Sequence, residues 1–586
     1  MTRGVGSLVR GGMLTATPRA RDGRDAERFD IAVLGAGAAG LAAAIFAALD
    51  GRRVLVVERT PFVGGTTALS AGTVWIPGTH LAVEAGLDAD VESAARYLDA
   101  AVGNQSSRAM RDAFLVHGPK AVATLVDRTE TKLRVRPVHP DYLSELEGAV
   151  AGGRALEPLP FDGSLLGDDF RLLRPPIPEF TVLGGMMVDR DDVRHLQAIG
   201  KSVESTLHGT RRIGRYVWDR LRHPRGTRLV MGNALVARLL HSARKLGVTL
   251  RVGVETVAVE PLPGQGWILD LRQDGGTSRV TAACIILATG GFSRHPGMRE
   301  RMLPKPVPQH SPSAPGHTGA LHDMAIALGA YHGESAANPC YWAPVSIRTR
   351  SDGSVATFPH FFLDRGKPGI FAVGRNGRRF VNETVSYHQF AEAMYASNQD
   401  GGTIPAYLVT DARGLRTYGL GMVRPGGRGI ARQVAEGYLV EGATLDELAG
   451  KLGIDAAGLT DTVARLNRYA ATGVDEDFGR GSTFYQRNNG DAAHGPNPTI
   501  GPVGTAPFYA LRLFPGDIGS ATGLVTNENA RVLRRDGTPI HGLYACGNDM
   551  QSVMGGAYPG PGITLGPAIA FAYAAANHAA SMIETA

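Results

Sequence analysis

The chain has 586 residues, more than one hydrophobic core supports, so at least two domains are expected. Hydrophobic residues make up 43% and charged residues 20%, which excludes a disordered chain; the 77 glycines follow no repeat, which excludes a collagen-like one. A net charge of +6, with no nucleic-acid-binding motif beside it, argues against a nucleic-acid partner. Residues 1–28 carry several arginines with no apolar core after them, so they read as a disordered tail rather than a secretory signal, with Met13 as an alternative start. Cys284, Cys340 and Cys546 lie far apart, without metal spacing or a disulfide framework, and point to a reducing, cytoplasmic compartment. No apolar run reaches the roughly 18 residues of a membrane span.

Residues 30–34, DIAVL, read as a buried parallel strand. They run into Gly35-Ala36-Gly37-Ala38-Ala39-Gly40 and an alanine-rich helix. Gly35 permits the tight turn, Gly37 lets the backbone approach a pyrophosphate, and Gly40 lets helix and strand pack closely; the helix N-terminus favours the anion. A second strand, RRVLVVE, ends at Glu58, where a carboxylate accepts hydrogen bonds from a ribose. Gly64-Gly65-Thr66-Thr67-Ala68-Leu69-Ser70-Ala71-Gly72 follows, with small residues and hydroxyls suited to a pyrophosphate and a flavin.

Residues 105–230 read as mainly helical around a loop at 136–190. The basic stretch 211–228, RRIGRYVWDRLRHPRGTR, reads as a solvated helix face and loop; peripheral attachment to an anionic membrane surface is the alternative. Residues 285–292, IILATGGF, read as a strand entering a glycine turn. Residues 297–505 carry strands such as 406–410 and a helix over 445–471, and form a substrate-capping domain. The chain returns near Pro507 to a strand and turn at 542–549, GLYACGND, with Asp549 or Asn548 placed for a ribityl chain. Gly562-Ile563-Thr564-Leu565-Gly566 then opens a last apolar helix, whose start would stabilise negative charge on a reduced flavin.

In this order the segments resemble the FAD domain of the glutathione-reductase-like superfamily. The expected fold is α/β: a Rossmann-type FAD-binding domain built from 29–296 and 506–586, with an inserted α+β cap. The candidate FAD-binding residues are Gly35, Gly37, Ala38, Ala39, Gly40, Glu58, Arg59, Gly64, Gly65, Thr66, Thr67, Ser70, Ala71, Gly72, Val257, Ala288, Thr289, Gly290, Gly547, Asn548, Asp549, Gly562, Thr564 and Leu565. No second strand–GxGxxG–helix unit occurs, so the expected electron acceptor is a quinone or another protein rather than NAD(P).

The stretches GGTTALSAGTVWIP at 64–77, GRRFVNE at 377–383, FGRGSTFYQRNNGD at 478–491 and YPGPGITLGPA at 558–568 resemble the 3-ketosteroid dehydrogenases, relatives of the fumarate reductase flavoprotein. The resemblance implies non-covalent FAD, a flat apolar steroid pocket, and removal of two hydrogens from ring A. It maps the family's catalytic groups onto Tyr558 and Gly562, Tyr387, and, through a divergent loop, Tyr142. Tyr558 and the Gly562 N–H would polarise the C3 carbonyl, Tyr387 would take the C2 proton, and Tyr142 would favour the Tyr387 phenolate. Ser386 stands where the family often has proline. Tyr395 and Tyr485 read as structural, Tyr341-Trp342 as pocket wall or core, and His317-Thr318-Gly319 as a turn against flavin or substrate. Desaturation at C4–C5 of a 5α-ketosteroid, reduction of a small dicarboxylate, and a catalytically silent flavoprotein are the competing functions.

Overall fold

The computed structural model describes residues 26–584 apart from 88, 263, 265 and 335. The sequence-predicted tail at 1–28 lies largely outside the described residues, but its last two residues do not belong to it: Glu27 and Arg28 pair with Val280 and Thr281 in the first sheet.

Strand β1 (Glu27–Leu34) leads into helix α1 (Ala38–Leu49) and strand β2 (Val54–Glu58). Ile31, Ala32, Val33, Leu55 and Val56 are wholly enclosed, as an unbroken apolar run in a parallel sheet covered on both faces should be. Helix α2 (Arg108–Arg128), helix α3 (Val203–Arg220) and helix α4 (Met231–Lys245) follow. Strand β3 (Thr249–Val252) then pairs parallel with β2. A meander of β4 (Glu255–Leu262), β5 (Gly266–Gln273) and β6 (Gly276–Leu287) completes the order β3-β2-β1-β6-β5-β4.

The basic stretch is spent largely inside the chain. Arg212 meets Asp192, Arg215 meets Asp162, and Arg228 meets both Asp189 and Asp192. Val203, Leu207, Trp218 and Leu221 remain exposed on and just after α3. Among the described residues no helix is long and apolar enough to cross a membrane.

The cap is an antiparallel sheet of β7 (Cys340–Thr349), β8 (Val355–Pro359), β9 (Ile370–Val373), β10 (Ala406–Asp411), β11 (Val440–Gly442) and β12 (Phe508–Ser520). Its order is β8-β7-β12-β10-β9, with β11 also on β12. Helix α5 (Tyr387–Ala396) packs on β7. Two sequence expectations are corrected here. The predicted helix over 445–471 is two helices, α6 (Leu445–Leu452) and α7 (Ala456–Thr472), because Gly453 turns left-handed and the Asp455 side chain caps a new start. The return to the FAD domain comes later than Pro507: residues 508–520 are the central strand of the cap sheet, and the apolar run FYALRLF does not reveal which of two sheets it joins.

Strands β13 (Arg531–Leu533) and β14 (Pro539–Ala545) return to the first sheet, β14 parallel to β6. Helix α8 (Leu565–Glu584) then packs on α1. Both helices are rich in alanine where they are buried, which lets their axes come close over the sheet. The cleft between the FAD domain and the cap holds the site.

Candidate active site

One continuous cavity runs from the end of β2 to the start of α5. At its FAD end, a Cβ on Gly35 would lie 2.2 Å from the Ala288 carbonyl oxygen and one on Gly40 1.9 Å from the Gly35 oxygen, so both positions require glycine for packing. A Cβ on Gly37 would meet nothing, so the backbone there opens onto the cavity, as an approaching pyrophosphate requires. Glu58 is buried at the cavity wall; one carboxylate oxygen accepts from the Ala36 N–H at 3.0 Å and the other from the Thr60 N–H and hydroxyl. Thr67 Oγ1 accepts from the Ala38 N–H, joining the hydroxyl-rich segment to the start of α1.

The cleft gathers most of the sequence-predicted cofactor residues, but four do not line it. Gly40 and Gly64 are packing glycines: a Cβ on Gly64 would press into Ala68 and Val236. In place of Val257, the wall is formed by Val254, Glu255 and Thr256. Asp549 is fully buried and turned away from the cavity, and Asn548 lines it instead. The Asp549 carboxylate accepts from the Thr289 N–H and hydroxyl, from the Gly291 N–H at 2.8 Å, and meets His322 Nε2 at 3.0 Å. Burial pushes this carboxyl up, but His322 and Thr289 outweigh it and hold it below its usual range. Asp549 therefore fixes the glycine turn after β6. A polar residue after a strand carries no sign in the sequence of which way it faces.

His317 belongs to the same wall. Its ring lies 2.5 Å from where a Gly290 Cβ would stand, and burial lowers its pKa to about 4, so the imidazole is neutral. The open Gly37 backbone, the oriented Glu58, the hydroxyls of Thr66 and Ser70 and the glycine turn at Gly290 all line this cavity and fit an FAD.

At the other end, three tyrosines from three elements converge. Tyr387 is the first residue of α5, and Ser386 caps that helix: its hydroxyl accepts from the Gln389 N–H, and Gln389 reaches back to the Ser386 N–H. The S-x-x-Q capping box explains how serine replaces proline here, and it was legible in the sequence. Tyr558 precedes a loop in which Gly562 adopts φ +93° with its Cβ direction 2.2 Å from the Thr73 carbonyl oxygen. The loop carrying Tyr142 is tied to that one, because the Tyr142 N–H and the Tyr97 hydroxyl both donate to the Pro559 carbonyl, at 2.8 and 2.6 Å. Beneath it, buried Asp141 accepts from Trp75 Nε1 and pairs with Arg154.

The three phenol rings pack as a cluster. The rings of Tyr387 and Tyr558 are edge-to-face at 5.0 Å, and those of Tyr142 and Tyr558 are stacked at 5.7 Å. The Tyr142 hydroxyl lies 3.5 Å from that of Tyr387. Phe361 closes on Tyr387 at 4.9 Å, Tyr485 on Tyr142 at 4.8 Å, and Tyr341 on Tyr558 at 5.3 Å. Tyr341 does not line the cavity but packs behind Tyr558 as core, and Trp342 is core as well. Burial pushes Tyr142 and Tyr387 well above the usual phenol range, and Tyr558 up to about 12, where Tyr387 and Thr564 partly offset it. His388, buried and lowered to about 3, accepts from the Trp342 N–H and holds α5 against β7.

Fold and cleft together define a two-domain flavoprotein. The family model described as "FAD binding domain" matches residues 30–565. The chain is 36% identical to 4-oxocyclohex-2-ene-1-carboxylate 5-dehydrogenase of Sinomonas cyclohexanicum, over 94% of each chain. It is 35% identical to 3-oxosteroid 1-dehydrogenase of Mycobacterium tuberculosis, over 94% of this chain and 98% of that one. The solved 3-ketosteroid delta1-dehydrogenase of Sterolibacterium denitrificans, in complex with 1,4-androstadiene-3,17-dione, superposes with a TM-score of 0.87 at 34% identity, covering 95% of this chain and all of that one. The chain belongs to the 3-ketosteroid dehydrogenase family of FAD-dependent oxidoreductases.

Glu58→Ala is expected to weaken FAD about 10- to 100-fold, the effect of losing a charge-assisted hydrogen bond of about 1.5–3 kcal/mol. Titration of the apoprotein with FAD, followed by flavin fluorescence, measures this; unchanged affinity would show that Glu58 does not hold the ribose.

Proposed function

We propose that the enzyme introduces a C1–C2 double bond into ring A of a 3-ketosteroid. The observation that carries this reading is the convergence of Tyr142, Tyr387, Tyr558 and Gly562 in the cavity that also contains the FAD segments. Tyr558 and the Gly562 N–H donate to the C3 carbonyl oxygen and stabilise the enolate that develops there. That polarisation acidifies C2, and Tyr387 removes the C2 proton as general base. Tyr142 supports the oxygen of Tyr387. Phe361, Phe362, Pro359 and Ile518 supply apolar wall for the ring system. FAD, when bound, accepts the hydride from C1. The family resemblance supports non-covalent FAD, and the lack of a second strand–GxGxxG–helix unit in the sequence supports an acceptor other than NAD(P).

A carboxylated monocyclic ketone is the second reading. The Sinomonas relative is named for such a substrate, and its name places the oxidised position beside a ring ketone, so the same polarise-and-deprotonate chemistry serves it. Arg136 lines the cavity near Tyr142, although Glu157 already pairs with it at 2.9 Å. Arg174, which also lines the cavity, meets no carboxylate among the described residues, but it donates to the Thr60 hydroxyl at the FAD end, so the tyrosine end offers a carboxylate no unpaired arginine, which favours the steroid. Reduction of a dicarboxylate is disfavoured on the same ground, since Arg59 is likewise paired, with Glu255.

The test is an anaerobic panel with an artificial acceptor. A 4-ene-3-ketosteroid should give a product two mass units lighter with a 1,4-diene. Inertness there, with turnover of a 5α-saturated 3-ketosteroid to the 4-ene, would assign C4–C5 desaturation. Turnover of 4-oxocyclohexanecarboxylate alone would assign the monocyclic substrate.

A further inference from the structure

Arg365 is among the largest fully buried side chains and has no carboxylate within salt-bridge distance among the described residues. Its guanidinium donates instead to four backbone carbonyls: His360 at 3.1 Å, Phe361 at 2.9 and 2.5 Å, and Glu383 and Val385 at 2.6 Å each. Neutral acceptors satisfy its N–H groups, but no carboxylate meets the guanidinium directly; Asp364, which accepts from the Arg365 backbone N–H at 2.8 Å, compensates the charge only from a distance, and a buried charge without a direct partner is expensive. The neighbouring arginines show the contrast. Arg379 and Arg480 share Glu383 and Asp475 in a balanced group of two cations and two anions. Asp364, adjacent in sequence, is turned to His360 Nδ1 at 2.7 Å and to the Gly421 N–H.

The carbonyls that hold Arg365 are those around Tyr387. Val385 is two residues before it on the approach to α5, and the Phe361 ring packs on its phenol at 4.9 Å. The fork of hydrogen bonds therefore fixes the cation against the backbone that leads into Tyr387. We propose that Arg365 is a positioning residue acting through Tyr387, the fixed counter-charge that makes the Tyr387 phenolate attainable inside an apolar site. This rests on the reading of Tyr387 as the base.

The electrostatic surroundings agree. Burial lowers the Arg365 pKa, and Tyr485, Asp364, Tyr142 and Tyr387 oppose that fall, each favouring its charged form. Burial raises Tyr485 to about 12, and Arg365 is the largest influence opposing it; Arg365 also opposes the rise of Tyr142. The groups against Tyr387 itself are Tyr142 and Tyr558, which raise it further, and His388, which is neutral. Apart from a cation, a phenolate is favoured only by the Tyr142 hydroxyl, where it donates to the Tyr387 oxygen, and by the N-terminus of α5, whose dipole adds in the same direction.

The test is the pH dependence of kcat/KM for the holoenzyme and its Arg365→Gln and Arg365→Lys variants, with a 4-ene-3-ketosteroid as the probe. The base must be ionised, so activity climbs with pH to a plateau. In Arg365→Gln the rising limb should move at least about one pH unit higher, so that activity falls about tenfold on the limb and recovers toward the plateau. Arg365→Lys keeps the charge and loses the fork; its limb should stay within about half a unit of wild type even if its melting temperature drops. A limb unmoved in Arg365→Gln, with activity lowered equally at every pH, would make Arg365 structural and overturn the proposal. Should Arg365→Gln not accumulate as folded holoenzyme, Arg365→Lys decides alone: a limb displaced by a full unit would mean that the fork and not the charge sets the base. Tyr387→Phe separates this from the underlying reading. If it keeps turnover, Tyr387 is not the base; if it is inactive and the Arg365 limbs do not move, only the role of Arg365 fails.

Discussion

Tyr387→Phe is expected to lower turnover about 10³-fold while FAD and steroid still bind, within the 10²–10⁴ range that a positioned general base contributes. Only the phenol oxygen is removed. The ring keeps its packing against Phe361, Tyr142 and Tyr558, and Ser386 still caps α5, so the pocket should hold its shape. An interaction needed only as the proton leaves affects kcat and kcat/KM alike and leaves ground-state binding alone. The wild-type pH profile carries a sign that follows from the site. Burial and the two neighbouring phenols push Tyr387 above its ordinary value. The protonated form therefore dominates at neutral pH, and turnover should rise as pH rises. A steroid carrying deuterium at both C2 positions should lose one and keep one in the product, and a desaturated product that kept both would exclude proton abstraction at C2. Near-normal turnover of Tyr387→Phe would remove the residue from the base role.

How much of this was legible in the sequence differs by element. The strand–GxGxxG–helix unit and Glu58 were readable because each glycine answers a local demand: a carbonyl 2.2 Å from the Gly35 Cβ direction, or open space at Gly37. The YPGPG segment was readable because Tyr558 and Gly562 sit within one short loop. Tyr142 was harder, since its place depends on hydrogen bonds to Pro559, more than 400 residues away. Asp549 misled for a related reason. A carboxylate after a strand suits a ribityl chain, but its direction is set by His322 and the Thr289 turn, both distant in sequence. The extent of the cap was misjudged because 508–520 has the pattern of any buried strand; its partners at 340–345 and 406–411 settle its sheet. Arg365 gave no signal at all. An arginine in a glycine- and proline-rich loop reads as a surface residue, and only its enclosure by four carbonyls shows otherwise.

Tyr558→Phe should cost about 10²–10³ in kcat, the effect of removing one donor from an oxyanion hole. Tyr558 is buried, and its ring is held on three sides by Tyr142, Tyr341 and Tyr387, so phenylalanine fits the same space. The loss is then chemical rather than structural. The Gly562 N–H remains as the second donor, which is why residual activity is expected above that of a variant lacking both. That second donor resists removal by a larger side chain. In Gly562→Ala the new Cβ would stand 2.2 Å from the Thr73 carbonyl oxygen at φ +93°, displacing the loop that carries both Tyr558 and the start of α8. That variant should lose FAD along with activity, whereas Tyr558→Phe should keep it. A readout independent of turnover is the C3 carbonyl stretch of bound ¹³C-labelled steroid. Two hydrogen bonds draw electron density onto the oxygen and lower the frequency, so in Tyr558→Phe it should move back toward its value in an apolar solvent. A frequency unchanged by the substitution would mean that Tyr558 does not touch the ketone, and the three-tyrosine cluster would then need a different orientation of ring A.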